Sequence, residues 1–130
     1  MPLIEDYPPD IQPWKPASQV DMNRFDDLVG YAIHTLPDDV RRHTRRVAFL
    51  VENGADDMYL LGLFRGVPLT KKTNNDGGML PDTITLYRIP ILSVCVNEKQ
   101  VYEQIVVTLR HEVGHFFGLD HDVLGKHGYQ

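Results

Sequence analysis

An α+β domain is the fold this sequence predicts, on three observations. One amphipathic helical pattern follows a proline-rich start, three short β-branched and aromatic runs fill the middle, and a strongly apolar helical pattern closes the chain. The 130 residues make one domain at 18–130, large enough to bury a core without disulfide staples.

Residues 1–17 hold five of the nine prolines and show little periodicity, so they are expected as an extended arm, with Ile11 and Trp14 pinning it to the body. Ser18, followed by Asp21, is the expected N-cap of the first helix. Phe25, Leu28, Val29, Ala32, Ile33 and Leu36 then recur at three- and four-residue steps, and Pro37 ends the pattern. His34 falls beside that face near the helix end, where a surface or capping role is expected. Arg41, Arg42, Arg45 and Arg46 are expected in a solvated turn.

The runs at 46–53 and 58–66 predict two strands, and "TITLYRIPILSV" at 83–94 predicts a third. Pro90 cannot donate to a ladder, which places that part of the third strand at an edge or a bulge. Residues 67–82 form a long aperiodic connection, functional or mobile. The last helix starts near Asn97 or Glu98. Val101, Ile105, Val106, Leu109, Val113, Phe116 and Phe117 carry its apolar face as far as Gly118.

A net charge of -5 argues against a nucleic-acid partner or an anionic membrane surface. Cys95 is the single cysteine, so no internal disulfide forms, and its apolar surroundings predict a buried structural thiol. The N-terminal residues lack the basic start and apolar run of a signal peptide, and no stretch has the length of a membrane span. A cytoplasmic location is the expectation.

The chemistry is concentrated in "HEVGHFFGLDHD", residues 111–122. On a helix, His111 and His115 project from one face a turn apart, and two such nitrogens suit a tetrahedral zinc ion, one per chain. Glu112 is rotated by about 100° from His111, which suits a general base beside the metal better than a ligand. Glycine at 118 tolerates the left-handed turn needed to bring His121 back as a third ligand, leaving the fourth position to water. Asp120 and Asp122 are the alternatives to His121, or orient a histidine. His127 and Tyr129 are expected to be solvated. Chance would place the short motif in about one such sequence in a hundred, and the added glycine and histidine lower that several hundredfold, so a coincidental histidine-rich helix is the weaker reading.

These residues resemble the zincin metallopeptidases. The spacing His111-Glu112-x-x-His115-x-x-Gly118-x-x-His121 matches the extended metzincin pattern, but metzincins carry a methionine turn downstream. Here Met1, Met22, Met58 and Met79 all precede the motif, so a conventional metzincin is not expected. "LLGLFRGVPLT", "LPDTITLYRIP" and the terminal motif helix together resemble a family of small bacterial minimal zincins. That resemblance implies a zincin-like fold with an N-terminal helix, a short mixed three-stranded sheet and a C-terminal active-site helix. It also implies zinc ligands His111 and His115 with Glu112 as base. In that family the third ligand is often acidic, where this chain offers His121.

The expected function is a zinc-dependent peptidase acting on a peptide or protein through a zinc-bound water. The "ITLYRIP" strand, were it an edge, would align the substrate, and Tyr87 and Arg88 are candidates to steady the oxyanion, or else ordinary strand residues. The competing readings are a metal-stabilised protein-binding module that cleaves nothing, and hydrolysis of a small amide.

Overall fold

Asp21 rather than Ser18 starts the first long helix. In the computed structural model, which describes residues 4–73 and 80–119, Ser18 lies in a 3-10 turn, Ala17–Gln19. The Asp21 carboxylate accepts the Arg24 N–H at 2.8 Å and caps α1, Met22–His34. Phe25, Leu28, Val29 and Ala32 form its buried stripe, as their spacing predicts. Pro37 then precedes a short α2, Asp38–His43, whose last turn holds Arg41, Arg42 and His43 near the carbonyl end of the helix. Arg45 and Arg46 stand exposed in the turn beyond it.

Three strands follow: β1, Ala48–Glu52; β2, Gly62–Arg65; and β3, Thr83–Tyr87. The sheet order is β1-β3-β2, with β3 parallel to β1 and antiparallel to β2, a mixed sheet. The expected third strand is therefore only half strand. Its second half is a helix, α3, Arg88–Ser93, with Pro90 in the first turn. A proline there forfeits an N–H that has no intrahelical partner in any case. The expectation of Pro90 at a sheet edge is corrected with it. The strand before Pro90 is central, and β1 and β2 are the edges.

The pleat sorts the strand residues onto two faces. Phe49, Ile84 and Phe64 form one cross-strand row, and Val51, Leu86 and Gly62 the next. Ile84 and Leu86 are buried in the core, with Phe49, Val51 and Phe64 packed against it. Beneath this face runs α4, Glu98–Phe117, which contributes Val101, Ile105, Leu109 and Val113 to the same core. Gly62 permits the closest approach: a Cβ there would lie 2.7 Å from Thr108 Cγ2 on α4. The opposite face carries Leu50, Thr85 and Tyr87, which line a separate concavity of about 800 Å³.

The N-terminal arm is held by polar contacts more than by its tryptophan. Ile11 packs against the core as expected, but Trp14 is 78% exposed. The Gln12 main-chain N–H donates to the fully buried Glu98 carboxylate, which also takes the Arg24 guanidinium. Arg24 in turn reaches Asp10 at 3.0 Å, and the Tyr7 hydroxyl donates to Glu103 at 2.7 Å. Among the described residues no helix is long and apolar enough to cross a membrane.

Candidate metal centre

The histidine pair belongs to the last two turns of α4. This helix forms because Asn97 caps it, accepting the Gln100 N–H at 2.9 Å, and because an apolar stripe repeats over its twenty residues. Near its C-terminal end Glu112, Val113 and Phe116 are buried, while His111 and His115 are half-buried. The polar residues thus sit on the border between the core and a groove.

One helical turn separates the two imidazoles, and their Nε2 atoms face each other at 2.9 Å with the rings almost perpendicular, at 83°. One ligand atom each from His111, Glu112 and His115 lies within 4.8 Å of the others. This donor set fits zinc. Two imidazole nitrogens bound to one tetrahedral ion would lie roughly 3.3 Å apart, a small opening from the separation seen, and the carboxylate stands beside the pair.

Glu112 is 7% exposed and is held from outside its own helix. Its Oε1 accepts the main-chain N–H of Phe64, on β2, at 2.9 Å. The groove along this edge has a volume of about 460 Å³, and Leu60, Leu63, Phe64 and Pro68 supply apolar lining beside the two histidines.

Gly118 ends the helix as its sequence position predicts. It adopts the left-handed conformation, φ +77°, and the Leu119 N–H reaches the Gly114 carbonyl at 3.1 Å while the Gly118 N–H reaches that of His115 at 3.0 Å. These two bonds make a Schellman motif, which closes the helix three residues after His115. The start of the β2–β3 connection packs on this end: a Cβ at 118 would lie 2.2 Å from Thr70 Oγ1. Lys72 pairs with Asp82 at 2.6 Å across the base of the same connection.

The structure brings together His111, Glu112 and His115. His121, its alternatives Asp120 and Asp122, and the tail residues His127 and Tyr129 lie outside the described residues. Tyr87 and Arg88 are not part of the groove. Tyr87 points from the sheet face turned away from α4, where burial raises its hydroxyl pKa, and Arg88 donates to the Val20 carbonyl at 2.8 Å. Cys95 is half-buried against the core, and that burial pushes its thiol up to about 11. His34 is exposed at the end of α1.

Two contributors to the site were not singled out from the sequence. The Phe64 amide is invisible there because any residue supplies one. Gly62 did leave a trace, since an isolated glycine within a strand pattern marks a close backbone approach.

The model of a family described as zincin-like metallopeptidases matches residues 35–129, which takes in the whole sheet and the His111–His115 helix. No significant match is found among curated proteins. A metal, typically zinc, is what this family implies, and the convergent histidine pair is where the described residues fit one. With most of its length matched, the chain belongs to the zincin-like metallopeptidase family.

Proposed function

We propose that the protein is a zinc-dependent peptidase that cleaves extended peptides at the groove between α4 and β2. The observation that carries this reading is the convergence of the His111 and His115 Nε2 atoms at 2.9 Å beside a buried carboxylate, in a chain of this family. His111 and His115 would hold the metal, with His121 as third ligand. Bound zinc supplies Lewis acidity, polarising a peptide carbonyl and bringing the pKa of a water towards neutrality. Glu112 takes the proton of the attacking water and returns it to the leaving amine. Its burial at the groove edge keeps bulk water from competing for that proton.

Substrate alignment falls to β2, the edge strand beside the histidines, in place of the central β3. An edge strand offers main-chain groups to an extended peptide, and the apolar wall of the groove offers contact to its side chains.

The test is zinc content, read by elemental mass spectrometry on untagged protein, together with hydrolysis of a peptide library. Wild type should retain about one zinc per chain, as a three-ligand catalytic site does, and His115→Ala should lose it. Glu112→Gln should keep the zinc and lower turnover by about 10²–10⁴-fold. Undiminished turnover in Glu112→Gln would remove the general base from the mechanism. Full zinc with no cleavage of any peptide by wild type would favour a metal-stabilised binding module.

A further inference from the structure

The Glu112 carboxylate is anchored by a residue 48 positions away in sequence, and that residue lies on the strand assigned above to the substrate. In an antiparallel pair, alternate residues turn their N–H and C=O groups towards the partner strand and away from it. The Tyr87 N–H donates to the Leu61 carbonyl, and the register sets Leu63 opposite Thr85. Leu61 and Leu63 therefore face β3, whereas Gly62 and Phe64 turn their main-chain groups to the free edge. A free edge amide ordinarily goes to water or to an added strand. The Phe64 amide goes instead to Glu112 Oε1 at 2.9 Å.

Packing on both sides fixes where that amide stands. The Phe64 ring meets the Phe116 ring edge-on, with centroids 6.0 Å apart, which ties residue 64 to the turn of α4 that follows Glu112. Two residues earlier, the missing side chain of Gly62 lets β2 approach Thr108 on α4. The amide and the carboxylate are thus held by one rigid contact between strand and helix, and a hydrogen bond to an ionised carboxylate is among the stronger kind.

We propose that the main-chain amide of Phe64 is a positioning donor for Glu112, making Phe64 a positioning residue for the reaction; the assignment rests on the peptidase reading above. The outer edge of β2 then serves two purposes at adjacent outward positions. Gly62 offers its main-chain groups to an extended peptide, and Phe64 commits its N–H to the base.

Proline at 64 removes the N–H and is tolerated at an outward-facing edge position. Alanine at 64 removes the ring and keeps the N–H. Both variants lose groove lining and should bind peptide less well. With zinc content equal in the two, kcat of Phe64→Pro should fall about 10–100-fold below that of Phe64→Ala, the loss typical of an orienting hydrogen bond. Equal kcat values in the two variants would overturn the proposal.

A second readout needs neither turnover nor a foldable proline variant. In ¹H–¹⁵N spectra of the metal-free full chain, Glu112→Ala should shift the Phe64 amide and speed its hydrogen exchange about tenfold, with the Leu63 amide little changed. Glu112→Gln keeps an acceptor oxygen and should retain the protection. A Phe64 amide unaffected by Glu112→Ala would also overturn the proposal. Absence of zinc-dependent turnover in wild type would strike the peptidase reading alone, because the spectra report the hydrogen bond without it.

Discussion

Gly118 shows how much one backbone dihedral carries at this site. At φ +77° it closes the Schellman motif that ends α4, and it leaves room for Thr70 Oγ1 where a Cβ would stand. Gly118→Ala meets both penalties: a left-handed backbone costs an L-residue about 1–2 kcal/mol, and Thr70 must rotate away. The expected outcome is a fall in melting temperature of several degrees, about 3–8 °C, measured by calorimetry on the metal-free chain. An unchanged melting temperature would mean that the turn relaxes without strain. The same glycine was legible in the sequence, since its place after the last apolar residue of a helical pattern marks a helix end. The place of Glu112 beside the histidine pair was legible from its rotation about the helix relative to His111. Its hydrogen-bond donor was not, because a main-chain amide carries no residue-type signature.

Between elements, the contact that matters is β2 against α4. A Cβ added at Gly62 would stand 2.7 Å from Thr108 Cγ2 and 3.2 Å from Leu86 Cδ2. Gly62→Ala should therefore push β2 outward, costing about 1–3 kcal/mol and lowering kcat through a longer Phe64–Glu112 bond. Thr108→Ser deletes the nearest methyl while keeping the hydroxyl that accepts from Gln104 Nε2 at 3.1 Å. The double variant should recover part of both losses in a double-mutant cycle, whereas simple additivity would show that strand and helix are not coupled here. Element type was less legible than element position. In "TITLYRIPILSV" the apolar residues fit a buried strand and a buried helix turn equally, and periodicity cannot separate them over so few residues. The change from β3 to α3 comes where the Ile89 N–H leaves the ladder for the Asn53 carbonyl, a contact made by tertiary folding.

Across the whole molecule, the arm is latched to the helical layer through a carboxylate with no solvent exposure. Glu98, in the first turn of α4, takes the Gln12 main-chain N–H and the Arg24 guanidinium. Removing one partner of a buried ion pair strands the other, so Arg24→Ala should cost about 3 kcal/mol in chemical denaturation. Zinc retention by the folded fraction should not change, because the latch lies at the opposite end of α4 from the histidines. Loss of zinc from folded Arg24→Ala would show that the arm supports the site. Tyrosines with raised pKa values make stability depend on alkaline pH, Tyr7 and Tyr102 the most. The hydrogen bond to Glu103 holds the Tyr7 hydroxyl up at about 12, and burial does the same for Tyr102. Both fold in the protonated form with raised pKa values. Their contribution is complete below pH 10, the ordinary value, and is lost as pH climbs towards 12. Tyr7→Phe should flatten the decline of denaturation midpoint over that interval, and an identical slope would discount the Glu103 bond.

By itself the sequence determined the α+β class, the two long helices, the histidine–glutamate–histidine spacing and the glycine that ends the motif helix. Each of these depends on local backbone geometry or on a period read along one element. Only the tertiary structure decided that β3 is central, that β2 is the edge beside the histidines, and that an amide 48 residues from Glu112 holds its carboxylate. It also moved Tyr87 to the far face of the sheet and left Trp14 exposed while buried carboxylate contacts anchored the arm. Strand order and cross-element hydrogen bonds are set by how the apolar faces pack together, and main-chain donors are the same in every residue, so neither is written in the spacing of side chains.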